Sequence, residues 1–176
     1  IGAGQGLFLA LFTVQAYALF DLLPAQHGHT FYAHGSLVAL VLLACGLAAS
    51  FFHLGRPERA WRAASQWRTS WLSREVIVLP AFIGIVALYG LAHALELTPE
   101  LLRLPGGYSV DASFLLGVAG TVLAFALFIC TAMIYACMRF LAEWHSPLTL
   151  VNYTLLGGAS GFTLAASATA ETSPAT

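Results

Sequence analysis

The sequence has little charge, and that scarcity excludes several classes of protein. Charged residues make up 9% of its 176 residues, whereas a typical soluble domain has about 25%. The seven basic residues are all arginine, and the formal net charge is −1. Nucleic-acid binding needs a basic surface to meet the phosphates. The composition therefore argues against an ordinary soluble domain and against a nucleic acid as the partner.

Cysteine is also scarce, and its spacing carries no metal or disulfide signature. Cys45, Cys130 and Cys137 lie in apolar stretches and form no CxxC pair, so neither a disulfide framework nor a zinc or iron–sulfur site is indicated. We expect buried, unreactive thiols. The chain begins at Ile1 without a basic segment, so its first run is not typical of a signal peptide.

Apolar residues, in contrast, are abundant at 59% of the chain. A helix needs about 20 apolar residues to cross the hydrocarbon core of a bilayer, and five runs approach that length, at about 2–20, 35–53, 75–95, 113–138 and 150–170. The runs lack the alternating polarity of membrane strands. We predict an all-α, polytopic transmembrane helix bundle that forms a single domain over residues 1–176, incomplete at both ends.

The loops between the runs place charge unequally on the two sides of the membrane. With five spans, six of the seven arginines fall on one side and Arg103 falls on the other. Arginine is retained in the cytoplasm, so loop 54–74 and the N-terminus are predicted to be cytoplasmic. Docking of a protein partner is an alternative reason for arginine in that loop.

The fifth run is rich in small residues. Gly157 and Gly161 have the GxxxG spacing that lets two helices approach closely in lipid. We expect a packed helix–helix contact there, completed by another subunit or by sequence beyond this chain.

The candidate site lies in residues 51–76, FFHLGRPERAWRAASQWRTSWLSREV. His53 ends the second run and is followed by Gly55, while Glu75 opens the third run from the same side, with Arg56 and Arg59 close by. Ionisable residues at such a depth in a membrane are costly to bury, so we take them as candidates for a functional site. A quinone requires an apolar slot, hydrogen-bond partners for its oxygens and groups that exchange protons. A histidine and a glutamate at an apolar edge meet the last requirement.

The same residues also have explanations that involve structure alone. His53 can interact with the negative end of the helix dipole, and Glu75 can be an ordinary first-turn residue. Interfacial arginines often reach lipid phosphates, and the tryptophans fit an aromatic belt at the membrane interface.

Histidines allow two further sites. His27, His29 and His34 cluster in the first loop, but an HxH pattern with loose spacing is weak support for a metal, and we predict no metal site. A haem b held by two histidines is the other alternative. His34 and His93 lie on the same side and could pair, whereas His53 has no histidine opposite it.

The run HLGRPERAWRAASQWRTSWLSREV resembles the HLGxPxRAW…SxLSxE signature of the membrane anchor of DMSO reductase-type molybdoenzymes, the DmsC family, which is related to the NrfD-like quinone-interacting anchors. FTVQA in the first run and MIYACMRFLAEWHSPLT at the end of the fourth look like the same family. The resemblance covers nearly the whole chain, and its first block is the specific one.

The resemblance implies roles for individual residues. His53 and Glu75 match the histidine and glutamate that the family associates with quinol binding and its proton chemistry. Gly55 and Arg59 match the same block, and Arg56 lies within it. The match of Tyr135 to the family is weaker. On this basis His53 and Glu75 are the expected catalytic pair, and all of these residues are expected to contact the quinone.

The resemblance also implies the setting. It indicates a haem-free subunit of a bacterial inner-membrane complex, which passes electrons between menaquinol or ubiquinone and an iron–sulfur subunit that serves a molybdopterin catalytic subunit. Such complexes belong to anaerobic respiration or sulfur metabolism, and the arginine bias favours a sulfite-oxidising one. Family members have about eight helices, against the five runs here. A transporter or a purely structural anchor is the rival, although transporters carry charge near mid-membrane.

Overall fold

Five helices and one short hairpin make up the described part of the chain. The computed structural model describes residues 1–20, 22, 27–52, 62, 64–103, 109–138 and 144–172. The elements are α1 (Gly2–Leu19), α2 (His29–Phe52), α3 (Trp71–Ala94), β1 (Glu100–Arg103), β2 (Ser109–Asp111), α4 (Ala112–Ala136) and α5 (Leu148–Thr172). The predicted helical bundle is confirmed.

Four of the helices are long and apolar enough to cross a membrane. These are α1 to α4, with mean hydropathies between 1.2 and 2.3 over their most apolar stretches, and they make the chain an integral membrane protein. The helix α5 is 25 residues long, but its serines, threonines and glycines make it less apolar, and it falls outside this set. The five predicted runs thus correspond to five helices, of which four meet the criterion for a span.

The third helix begins earlier than predicted. The Ser70 hydroxyl accepts a hydrogen bond from the backbone N–H of Ser73 at 3.4 Å and so caps a helix that starts at Trp71. A serine at this position satisfies one of the unpaired N–H groups of the first turn. Glu75 therefore lies in the second turn of α3 rather than at its first residue.

The helices alternate in direction, which divides the bundle into two ends. Ile1 lies against Gly46 near the end of α2, while the first residue of α2, His29, contacts His93 near the end of α3. We name the end that holds residues 1, 52, 71, 136 and 148 the arginine end. The opposite end, which holds residues 19, 29, 94, 112 and 172, is the histidine end.

The helix α1 is the centre of the bundle. It packs against α5, α2 and α4, while α3 packs between α2 and α4. The Phe8 ring is fully buried and meets the rings of Phe82 and Tyr89 edge-on, at centroid distances of 5.5 and 5.3 Å. Edge-to-face contacts of this kind favour a fixed arrangement of aromatic rings, so they set how α1 sits against α3.

Glycines bring α1 and α5 into backbone contact. A Cβ built at Gly161 would overlap the backbone of Gly6 and Leu7, and one built at Gly6 would overlap the carbonyl of Gly157. The expected close contact of the GxxxG residues is therefore present, and its partner is α1 of the same chain. Small residues allow this approach, which gives van der Waals contact along both helices.

A short antiparallel hairpin lies between α3 and α4. The strands β1 and β2 are antiparallel, with Glu100 opposite Asp111 and Arg103 opposite Ser109. Arg103 forms an ion pair with Glu100 at 2.9 Å. The strands have only four and three residues, too short for an alternating pattern to be recognised in the sequence.

The expectation of buried thiols holds for one cysteine. Cys130 is buried, whereas Cys45 and Cys137 are exposed on the protein surface. The prediction was wrong for the latter two because an apolar run in a membrane helix can face lipid instead of the protein interior. All three thiols are free.

We expect Gly161→Ala to destabilise the protein by about 1–3 kcal/mol, because the new methyl group meets backbone atoms that cannot move aside cheaply. Thermal unfolding of the purified full-length protein in detergent measures the effect. Gly158→Ala is the matched control, since nothing lies within 4 Å of a Cβ at Gly158 and alanine favours the helix. Equal melting temperatures for the two variants would contradict the proposed packing.

Candidate functional site

The structure describes part of the predicted site. Glu75 and Tyr135 lie within the described residues, whereas His53, Gly55, Arg56 and Arg59 lie outside them. The last described residue of α2 is Phe52, at the arginine end. The roles assigned to these residues stay predictions, and the geometry below concerns Glu75, Tyr135 and their neighbours.

Glu75 is held by a hydrogen bond from α4. It is half-buried, and the Thr131 hydroxyl donates to its Oε1 at 2.9 Å. A hydrogen bond of this kind orients a carboxyl group. The contact fixes the position of Glu75 between α3 and α4.

A cavity of about 460 Å³ opens beside this carboxyl group, within the range of typical small-molecule sites. Its walls come from α1, α3, α4 and α5 and from Ile1. The polar side chains in the wall are Gln5, Glu75, Thr131, Tyr153 and Ser160, and the remaining lining residues are small or apolar. The cavity therefore combines an apolar surface with a few polar groups at the arginine end.

Tyr135 lies behind this wall. Its ring stacks on that of Tyr153, with centroids 5.4 Å apart and an angle of 17° between the planes. The Trp144 ring meets Tyr135 edge-on at 5.1 Å. Tyr135 is not among the residues that line the cavity, and its expected contact with a quinone stays a prediction.

Arg74, next to Glu75 in the chain, stabilises the preceding loop. Its Nε donates to the carbonyl of Trp67 at 3.0 Å, and its Nη2 donates to the carbonyl of Arg68 at 3.1 Å. Its guanidinium lies over the Trp71 ring, 4.2 Å from the centroid, a favourable cation–π geometry. This arginine thus holds the loop against the start of α3.

The histidine end contains a separate group of polar residues. The Nδ1 atoms of His29 and His93 are 3.1 Å apart, so one must donate and the other accept. His93 is 3% exposed, and the Tyr32 ring stacks on it at 4.8 Å. Within the described part of the chain, the Nε2 of His93 has no hydrogen-bond partner.

This arrangement differs from the histidine pairing considered for haem. His93 is joined to His29, whereas His34 lines a cavity of about 520 Å³ that also includes His27. That cavity is otherwise mostly apolar. Across the described residues, no group of three or more His, Cys, Asp or Glu side chains is arranged to hold a metal ion.

A hydrogen-bonded chain lies next to these histidines. The Tyr89 hydroxyl donates to Gln15 Oε1 at 2.8 Å, and Gln15 Nε2 donates to the Ser113 hydroxyl at 2.9 Å. The three residues join α3, α1 and α4. Such a network stabilises the bundle because each buried polar group finds a partner.

The hairpin adds acidic groups at this end. Burial raises the pKa of Asp111, the nearby Glu100 raises it further, and His29 opposes both effects. Asp111 precedes α4, but its side chain makes no capping hydrogen bond. The described part of this end thus holds Glu100 and Asp111 together with Arg103.

The sequence did not point to Thr131, Tyr153 or Tyr89. Each is a polar residue inside an apolar run, and that is the signal by which they could have been found, since such residues need partners in a membrane helix. Gln15 lies in the FTVQA stretch, which was noted only for its resemblance. Which faces these residues occupy depends on how the helices pack.

Comparisons with known proteins agree with the helical, membrane-spanning architecture. The family described as DMSO reductase anchor subunit (DmsC) matches residues 3–175. A sulfite dehydrogenase subunit of Allochromatium vinosum is 63% identical over 166 residues, which cover 94% of this chain and 51% of that protein. The chain therefore spans about half the length of the curated relative it matches. No solved structure matches it.

We expect Tyr89→Phe to cost about 1–3 kcal/mol of stability, because the partly buried Gln15 Oε1 loses its donor. Thermal unfolding in detergent measures the loss. Tyr17→Phe is the control, since Tyr17 is 49% exposed whereas Tyr89 is fully buried. An unchanged melting temperature for Tyr89→Phe would show that the chain of hydrogen bonds does not stabilise the bundle.

Proposed function

The chain belongs to the DMSO reductase anchor subunit family, and we propose that it is a quinone-reactive membrane anchor subunit. It exchanges electrons between the quinone pool and an iron–sulfur subunit, which serves a molybdopterin catalytic subunit. The observation that supports this proposal is the cavity at the arginine end, where Thr131 orients Glu75 toward an apolar space.

The cavity fits the chemistry of a quinone head group. A quinone is a flat, mostly apolar ring with two carbonyl oxygens, and each oxygen gains one proton on full reduction. The apolar wall suits the ring, while Tyr153 and Glu75 supply a hydroxyl and a carboxyl group. Gln5 and Ser160 already donate to the backbone carbonyls of Ala124 and Gly157, so they contribute less to recognition.

Glu75 and His53 are the proposed proton-exchanging pair. Reduction of a quinone consumes two electrons and two protons, and oxidation of the quinol releases the same. Glu75 exchanges one proton with one ring oxygen, and His53 exchanges the other. The Thr131 hydrogen bond at Oε1 leaves Oε2 as the atom we assign to this proton, because a hydroxyl can hold a carboxyl group without preventing its protonation.

The relative suggests the direction of electron flow. Because it is named as a sulfite dehydrogenase subunit, we propose that this chain serves a sulfite-oxidising complex. Sulfite and water give sulfate, two protons and two electrons at the catalytic subunit. The electrons then pass to the anchor, where one quinone takes up two electrons and two protons and leaves as quinol.

We expect His53→Ala and Glu75→Gln to weaken binding of a short-chain benzoquinone analogue to the purified complex by about 10- to 100-fold, since His53→Ala removes a hydrogen-bonding side chain and Glu75→Gln replaces the carboxyl group with an amide that cannot take up or release a proton. Fluorescence-quench titration measures the affinity. His34→Ala and Glu96→Gln are the matched controls, because both residues lie at the histidine end and are exposed.

Two results would overturn the proposal. The first is unchanged affinity in both variants, which removes the pair from the quinone site. The second is a stoichiometric haem absorbance from the subunit in the same sample, since the electron path would then include haem b. A purely structural anchor predicts the first result together with an intact complex.

The arginine end is proposed to face the cytoplasm. Arg68 is exposed at this end and Arg103 is exposed at the other, which allows a paired test. In a variant whose three native cysteines are replaced by alanine, we expect a membrane-impermeant maleimide to label Arg68→Cys in inverted vesicles and Arg103→Cys in intact cells. The opposite pattern would reverse the orientation, in keeping with arginines that serve to dock a partner instead.

A further inference from the structure

We propose that the Tyr153 hydroxyl is a hydrogen-bond donor to a carbonyl oxygen of the quinone, and that Tyr135 positions it. This inference rests on the proposed quinone chemistry and assigns a further ligand-contacting residue to the same site. Tyr153 comes from α5, whereas Glu75 comes from α3 and Thr131 from α4, so the three side chains approach the cavity from three helices.

The remaining polar groups of the wall are engaged elsewhere. Thr131 donates its hydrogen to Glu75, and Ser160 donates its hydrogen to the carbonyl of Gly157. One N–H of the Gln5 amide donates to the carbonyl of Ala124 on α4, and Gln5 is only 2% exposed, so it offers little surface to a ligand. A neutral carbonyl ligand needs a donor, and among the described polar residues of this wall the Tyr153 phenol is the hydroxyl best suited to that role.

Tyr135 orients the phenol of Tyr153. The two rings are nearly parallel, with centroids 5.4 Å apart. A phenol can accept one hydrogen bond and donate another. In the proposed ligand-bound arrangement, Tyr135 donates to the Tyr153 oxygen, and the Tyr153 hydrogen is directed to the ligand. Trp144 supports Tyr135 from the outer side, so the aromatic stack limits the movement of Tyr153.

The position of Tyr153 opposite Glu75 gives the two quinone oxygens different environments. Tyr153 and Glu75 both line this cavity, so the two groups border one space. The oxygen beside Tyr153 receives a hydrogen bond from a neutral donor, while the oxygen beside Glu75 exchanges a proton. Tyr153 therefore contributes to binding and orientation, and the proton chemistry stays with Glu75 and His53.

The test is a set of conservative tyrosine substitutions in the full-length subunit within the purified complex. Tyr153→Phe keeps the stacked ring and removes only the hydroxyl, so we expect the short-chain benzoquinone analogue to bind about 2- to 12-fold more weakly, as for one neutral hydrogen bond. Tyr17→Phe, at the exposed residue of the histidine end, should leave the affinity unchanged. Thermal unfolding of each variant verifies that the fold is intact.

A double-mutant cycle separates positioning from general stability. If Tyr135 acts through Tyr153, then Tyr135→Phe weakens binding in the otherwise native subunit and has no further effect beside Tyr153→Phe. Additive losses would show that Tyr135 acts independently of Tyr153 and would overturn the positioning role.

Glu75→Gln, measured in parallel, distinguishes failure of this inference from failure of the proposed function. Loss of affinity in Glu75→Gln with native affinity in Tyr153→Phe overturns the role of Tyr153 and retains the quinone site. Native affinity in both variants overturns the site itself, and the role of Tyr153 with it.

Discussion

The backbone contact between α1 and α5 is the constraint on which the rest of the structure depends. Gly6 and Gly161 meet at a distance that admits no side chain between them, so α1 can occupy the centre of the bundle with α2 and α4 also against it. In lipid, close packing substitutes for the hydrophobic effect that drives helices together in water. The same contact brings Gly157 and Ser160 to the wall of the cavity at the arginine end.

Polar groups inside the bundle are distributed between its two ends, and each group joins residues that are far apart in the sequence. At one end the Glu75–Thr131 hydrogen bond links α3 to α4. At the other end Gln15 links α1 to α3 and α4. Because an unpaired polar group is costly in an apolar setting, these contacts specify which helix faces meet. The group at the arginine end borders a cavity that has a carboxyl group in its wall. For this reason we assign the quinone chemistry to that end.

Much of the fold could be predicted from the sequence, whereas much less of the candidate site could be. Five long apolar runs determine a membrane helix bundle, since only helices and closed β-barrels satisfy the backbone in lipid and the runs lack the alternating polarity of barrel strands. The helix boundaries were less accurate, because α3 begins at the Ser70 cap and not where its apolar run begins. Glu75 could be selected from its position at a membrane edge. Thr131 and Tyr153 could not, because their roles depend on the rotation of α4 and α5 about their axes.

The sequence by itself determined the class of protein, the number of helices, the unequal distribution of arginine and the family motif that includes His53 and Glu75. The class and the number of helices follow from composition and from the length of helix that crosses a bilayer, the arginine bias follows from the loop positions, and the motif follows from the resemblance to the anchor family. Only the tertiary structure decided that Tyr135 stands behind Tyr153, that His93 pairs with His29, and that the glycines of α5 face α1. The physical reason is that apolar runs lack a marked polar face, so local sequence leaves their rotation open, and the packing of neighbouring helices fixes it.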